Sequence, residues 1–292
     1  MTGLFHETGL EASGNAVHLA ANFMVAIVQV NGYNSTTTII ANPMNIRIPL
    51  IVLFLVTASA IAAELPVMPT EPIAQKKELL FADDFQGTNH DARWHRVVDT
   101  FVFEGGALKG TQTREKDMPS KDGKSVIKAH AAVYGLELPT KDSVVEVKIK
   151  FDGNVRMDVE FDDRKFTGSH YGHLCRAIVS LDKVTILDER DGTQSTNVIE
   201  LRKDATKNKD EINKLLATHS ANFPAKLEAG KWYALVVETV GDEMRVTLDG
   251  KPAGYLKSSG IGHATKSKIE LGVAGQSGWF DDIKVWNAEP VK

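Results

Sequence analysis

From Leu79 to Val285 apolar residues return at every second position in short runs, and this alternation constrains the fold more than any other feature. Val145, Val147, Ile149 and Phe151 alternate with Val144, Glu146, Lys148 and Lys150. Successive strand side chains take opposite faces, so each such run needs a core on one side only. Tyr233, Leu235 and Val237 repeat the pattern, as do Met244, Val246 and Leu248, then Ile269, Leu271 and Val273. Trp279, Ile283 and Val285 close the series, with Asp281 as its break. Gly105-Gly106, Gly241-Asp242 and Asp249-Gly250 separate the runs and mark tight turns. About a dozen short strands without alternating helices predict an all-β chain, a two-sheet antiparallel sandwich. One helical excursion interrupts it over 202–223. Its helix is expected near 208–219, with Asn208 and Glu211 as a capping box and Ile212, Leu215, Leu216 and His219 on one face.

The charge balance narrows the partners. With 34 Lys+Arg against 38 Asp+Glu the formal net charge is -4, which gives no basic field to draw nucleic acid. The single cysteine, Cys175, excludes an intramolecular disulfide and a cysteine-built zinc cage. It lies in the apolar run 174–179 and is expected to be buried.

The N-terminus reads as a targeting device. Met44-Asn-Ile-Arg47 precedes an apolar run that ends in Ala58-Ser-Ala60 and Ala60-Ile-Ala62, small residues at the spacing of a signal-peptidase site. The run is shorter than the ~20 residues of a membrane helix and lacks a basic stop-transfer flank. We therefore expect a signal peptide over 44–63, a secreted or periplasmic product, and no membrane association after cleavage. Residues 1–43 read as an upstream extension that is not native, with Met44 as initiator. Residues 64–78, with Pro66, Pro69 and Pro72, form an extended linker, and the sandwich domain is expected over 79–287.

Several segments resemble a known superfamily. They are Phe81-Ala-Asp-Asp-Phe85 with Trp94, Phe103-Glu-Gly-Gly-Ala-Leu-Lys-Gly110, the hairpin from Gly230-Lys-Trp-Tyr233 to Val246-Thr-Leu-Asp-Gly250, and Gly278-Trp-Phe-Asp-Asp-Ile-Lys-Val-Trp286. Together they resemble the jelly rolls of the concanavalin A-like lectin and glucanase superfamily, and within it most the 3-keto-disaccharide hydrolase domain of exported bacterial proteins. The resemblance spans 79–286. It implies a carbohydrate or glycoside as partner.

The chemistry is expected on one strand and the loop after it. Over 155–162, Val155, Met157, Val159 and Phe161 point one way, and Arg156, Asp158, Glu160 and Asp162 point the other. Carboxylates two apart on a strand sit ~7 Å from each other, and such crowding perturbs their protonation. The loop that follows carries His170, Tyr171 and His173 on a Gly-containing turn back toward that strand. Asp158, Glu160, Asp162, His170 and His173 are therefore the catalytic candidates, as proton donors and acceptors. Arg156, Asp163, Arg164, Tyr171 and Arg176 are the substrate-binding candidates, with Tyr171 as a stacking platform. Asp158-x-Glu160-x-Asp162 resembles the Glu-x-Asp-x-Glu strand of retaining β-glucanases, with Asp in both outer places and Glu in the central one. The shorter outer side chains make the ~5 to 5.5 Å carboxyl separation of a retaining site hard to reach. No catalytic metal is expected. Asp83-Asp84 and Asp281-Asp282 could meet if the terminal strands pair, and would then supply oxygens to a structural calcium. Three functions stay open at this point: a 3-keto-glycoside hydrolase-like enzyme, a noncatalytic lectin-like module, and an interaction domain without a sugar.

Overall fold

The computed structural model describes residues 65–87, 91–98 and 100–292, together with a short ladder between Gln29–Val30 and Tyr33–Asn34. By its contacts the chain divides into Met1–Ser59 and Ala60–Lys292, and the alternating pattern belongs to the second unit. The expected signal peptide, and the upstream extension apart from that ladder, lie outside the described residues.

Thirteen strands of the second unit share one hydrogen-bonded network. In chain order they are β1 (Ala74–Asp83), β2 (Trp94–Arg96), β3 (Phe101–Glu104), β4 (Ala107–Thr111), β5 (Ala132–Thr140), β6 (Ser143–Asp162), β7 (His173–Val179), β8 (Lys183–Asp188), β9 (Ser220–Pro224), β10 (Trp232–Val240), β11 (Glu243–Leu248), β12 (Lys251–Lys257) and β13 (Lys266–Pro290). All the pairings are antiparallel.

Two sheets arise because β6 and β13 run through both layers as a pair. The first half of β6, 143–150, lies between β10 and the second half of β13, and the layer continues to β11 and β12 on one side and to β1 on the other. Its second half, 156–162, lies between β7 and the first half of β13. That layer runs outward to β8 and β9 and, across β13, to β5 and β2. The crossover is a set of register shifts at 152–156, where Gly275 opposite adopts φ 93°. A Cβ at Gly275 would stand 2.7 Å from the Val155 amide nitrogen, so the bend requires glycine there.

The bend also corrects one expectation. Met157, Val159 and Phe161 are fully buried between the layers, but Val155 is 65% exposed because the bulge breaks the alternation before it. The inter-sheet core joins these residues to Val145, Val147, Ile149, Ile269, Leu271, Val273, Leu235 and Val246 in one cluster. Each such side chain contributes roughly 1.5–3 kcal/mol on burial. Cys175 belongs to the same cluster, and burial pushes its thiol up to about 12.

The helical excursion holds two helices, α1 (Thr196–Arg202) and α2 (Lys209–Thr218). Asn208 does precede α2, but the expected capping box does not form. Its amide donates to the carbonyl of Leu201 at the end of α1, 2.9 Å away, and so joins the two helices instead. The N-terminal linker is shorter than expected, since 74–78 already belong to β1. Arg245 holds the rest, donating to the carbonyls of Pro69 at 3.0 Å and Thr70 at 2.8 Å while its guanidinium pairs with buried Glu238 at 2.6 Å.

Candidate functional site

The alternation that buries Met157, Val159 and Phe161 turns Asp158, Glu160 and Asp162 to the opposite face of the same sheet. All three carboxyls are nonetheless buried, at 2%, 3% and 0% exposure, because neighbouring strands and loops rise around them. The residue paired with Asp158 across the ladder is Gly272, and a Cβ there would overlap Asp158 Oδ1. The missing side chain is the space that the carboxyl occupies. Asp158 and Glu160 form the floor of a cavity of about 1160 Å³. Its walls include Arg156, Arg164, Tyr171, Arg176 and Gln194, with Lys268 and Glu270 from β13 and Arg114, Lys128 and His130 from the loop before β5.

The histidine loop arrives as the sequence predicts. His173 is the cross-strand partner of Asp162, and its Nδ1 lies 2.6 Å from Glu160 and 2.9 Å from Asp162. His170 also lines the cavity, its ring 5.9 Å from that of His173. The helical excursion fixes this loop. The His170 amide donates to Gln194 at 2.8 Å, Thr196 donates back to Gly168 at 3.0 Å, and Ser169 bridges Ser195. The excursion therefore buttresses the cleft wall. Tyr171, at φ 50°, projects from the loop with 79% of its surface exposed beside the cleft. A bulky residue in that conformation is strained, by roughly 1–3 kcal/mol, and holds the ring outward.

Cations sort the carboxyls into different states. Lys268 lies 2.9 Å from Asp162 and 2.5 Å from Glu270. Burial raises the Asp162 carboxyl, but the hydrogen bond and charge of His173 and the Lys268 ammonium outweigh it, and the group is held below its ordinary value. Arg176 binds Glu189 at 2.6 Å and reaches Glu160 at 3.2 Å. Burial wins at Glu160, which is raised well above the usual carboxylate range despite Arg176. Asp158 is raised by burial too. Its Oδ2 has no hydrogen-bond partner, and Arg156 Nε stands 3.9 Å away, beyond hydrogen-bond reach. Burial alone would lower His173, but its hydrogen bonds to Asp162 and Glu160 carry it up to about 10. His170, desolvated and facing that cation, is lowered. The site thus sets two carboxyls raised by burial and a lowered imidazole around a histidine held far above its ordinary value.

Not every predicted residue reaches the cavity. Asp162 is enclosed behind His173 and Lys268. Asp163 turns away, its Oδ2 3.2 Å from His263 Nε2 and its Oδ1 accepting the Lys165 amide. Arg164 reaches the rim, where it pairs with Glu137 and lies 3.1 Å from His95. Sequence reasoning missed Lys268 and Glu270, although they are the polar alternates of the Ile269, Leu271, Val273 run and share the face of the acidic row. Glu189 and the 114–130 loop carried no periodic signal.

Groups of acidic and histidine side chains close enough to share a metal ion occur at Glu160, His173 and Glu189 and at Glu160, Asp162 and Glu270. Arg176 lies between the carboxylates of the first and Lys268 between those of the second, so each already has its cation. The terminal aspartates are brought close, with Asp83 opposite Ile283. Asp83 accepts the Phe85 amide at 2.8 Å and the Trp94 indole at 2.9 Å, Asp84 accepts the Gln86 amide, and Asp282 pairs with Lys148. Among the described residues no helix is long and apolar enough to cross a membrane.

No family model matches this chain, and no curated protein matches it. Solved structures do. The laminarinase catalytic domain from Thermotoga maritima aligns with 75% of this chain and 100% of its own at 12% identity and a TM-score of 0.50. SCLam, a non-specific endo-beta-1,3(4)-glucanase from family GH16, aligns over 76% and 96% at 12% identity and a TM-score of 0.49. At such identity the likeness speaks for fold. The chain is a two-sheet antiparallel jelly roll with a helical insertion.

Proposed function

We propose that this chain is an exported carbohydrate-active protein that cleaves a glycoside by proton transfer, in the manner of a 3-keto-disaccharide hydrolase. The observation that carries the reading is the meeting, in one cavity, of the Glu160 carboxyl, raised well above the usual carboxylate range by burial, with the His170 imidazole, lowered by burial and by nearby His173. An acid and a base of that kind operate together near neutral pH. The likeness in fold to a laminarinase catalytic domain supports a sugar as occupant.

In a 3-keto sugar the carbonyl acidifies the proton on C2. His170 takes that proton, the C1–C2 double bond forms as the C1–O bond breaks, and Glu160 delivers its proton to the departing oxygen. Water then adds across the double bond. Its hydroxyl goes to C1 and its proton to Glu160, while His170 returns the proton to C2, and the sum is hydrolysis. The alternative route through a carboxylate nucleophile fits less well. The outer carboxyl Asp162 does not line the cavity, so a flanking pair with Asp158 is not presented to a sugar.

The test is turnover of the purified full chain on 3-keto-disaccharides and on plain β-glucans. Cleavage of the keto-sugar is expected, with kcat falling roughly 10²–10⁴-fold in Glu160→Gln and in His170→Ala. Unchanged turnover in both variants refutes the assignment. Sugar binding without cleavage returns the lectin-like reading.

A further inference from the structure

The cleft floor is acidic in composition, but the charge it presents is positive. Glu160 and Asp158 are held toward the neutral acid by burial. Of the cations around them, Arg176 is bound to Glu189, Lys268 bridges Asp162 and Glu270, Arg164 pairs with Glu137, and Lys128 pairs with Asp117 at 2.7 Å. Two guanidinium groups remain. Arg114 forms no ion pair among the described residues, and Arg156 has only Asp158, 3.9 Å from its Nε. That Nε is itself buried without a hydrogen-bond partner, as is the facing Asp158 Oδ2.

The backbone puts both arginines at one end of the cleft. Arg156 pairs with Ala274, the next residue, Gly275, donates to the Gln112 side chain, and Gln112 in turn donates to the carbonyls of His130 and Arg114. The Arg114–His130 bridge then closes that end of the cavity. A buried donor without a partner, beside a second guanidinium without a counter-ion, forms a receptor that lacks its anion.

We propose that the sugar bound in this cleft carries an anionic substituent, a carboxylate or a sulfate, seated against Arg156 and Arg114. The proposal rests on the preceding reading only in taking the occupant to be a sugar. A guanidinium fork suits both substituents, because each offers two oxygens in one plane. The neighbouring Asp158 Oδ2 then takes a hydroxyl of the same ring, which satisfies the second orphaned atom.

The experiment measures binding, not turnover. The full chain is titrated calorimetrically with a glucuronate-terminated disaccharide, a 6-O-sulfated glucose disaccharide and the uncharged glucose disaccharide. At least one anionic probe is expected to bind about tenfold or more tighter than the neutral one, with the margin shrinking as salt is raised. The better of the two identifies the substituent. Arg156→Gln and Arg114→Gln are each expected to erode the preference and together to abolish it, read as the ratio of anionic to neutral affinity within each variant. Arg114 lies on a separate loop, so its variant tests the idea even if Arg156→Gln misfolds. Equal affinity for charged and neutral probes overturns the proposal, as does a preference that survives in the double variant or the absence of binding by all three. Turnover of a neutral keto-disaccharide without anionic preference would sink this proposal and leave the reaction standing. The reverse result would sink the reaction and leave the charge assignment.

Discussion

Replacing His173 by Gln removes the one cation that touches both Glu160 and Asp162, and the structure gives the size of the effect. Folded, the imidazole keeps its proton up to about 10; unfolded, it loses it near the ordinary 6.5. Between those values the folded chain binds the extra proton, so stability falls as pH rises. The contribution is complete below about pH 6.5 and gone once the pH passes the folded value. At ~1.36 kcal/mol for each tenfold change in proton affinity, its ceiling is about 5 kcal/mol. Over the middle of that window the wild-type chain should lose just over ~1 kcal/mol per pH unit from this group. The variant loses that slope. The same loss, read at neutral pH, takes the imidazolium from two buried carboxyls and costs roughly 3–5 kcal/mol. The assay is urea unfolding of both chains at intervals from about pH 6 to 10, and the quantity read is their difference, in which more distant titrations cancel. That difference should be largest at the acid end and should close toward the alkaline end. Two parallel stability curves would refute the assignment of His173 as the cation of the acidic row.

Other outcomes follow from single contacts. Gly272→Ala should push the Asp158 carboxyl off its seat, lowering stability by roughly 1–3 kcal/mol, and a crystal structure of the variant would show whether the carboxyl has moved. Arg245→Leu should free the 65–73 segment and leave Glu238 buried and unpaired, at a cost of roughly 3–5 kcal/mol. Limited proteolysis with N-terminal sequencing would detect cleavage within 65–73 before the sandwich unfolds. Because desolvation and the His173 cation lower His170, the acid limb of kcat/KM on a 3-keto-disaccharide should have its midpoint below the usual 6.5. A midpoint above that value would exclude His170 as the base.

The fold was legible because its signal is local. A side chain such as Val147 or Leu271 states which face it needs to bury wherever its neighbours alternate with it, and the structure places both in the core. Val155 broke the rule because a bulge depends on two strands. Gly275, on the partner strand, makes the bend, and nothing within 155–162 records it. The acidic row and the histidine loop were legible for the same local reason, being contiguous in sequence. The cations that set their protonation were harder to find. Lys268 lies 106 residues beyond Asp162, and Glu189 reaches the site only because β7 and β8 form a hairpin under Arg176. The capping box failed for a nearer reason: the Asn208 side chain donates to the Leu201 carbonyl of the preceding helix and makes no cap bond to its own.

Three carboxyls on one strand, two residues apart, end in different electrostatic states. Asp162 has a lysine and a protonated histidine in contact and is held ionised. Asp158 has no cation within hydrogen-bond distance and is raised. Glu160 has both His173 and Arg176 but shares them, with Asp162 and Glu189 respectively. Two half-shared cations do not offset complete desolvation, so Glu160 is raised as Asp158 is, and of the two it is the one in contact with His173. The innermost anion, Asp162, then has a separate job. It holds His173 charged, and that charge adds to burial in lowering the neighbouring His170. On this logic Asp162→Asn should act at a distance, raising the apparent pKa of His170 by letting His173 lose its proton, and an NMR titration of the His170 ring would register the change. A His170 midpoint that stays where it was would separate the two histidines and leave the base without its means of adjustment.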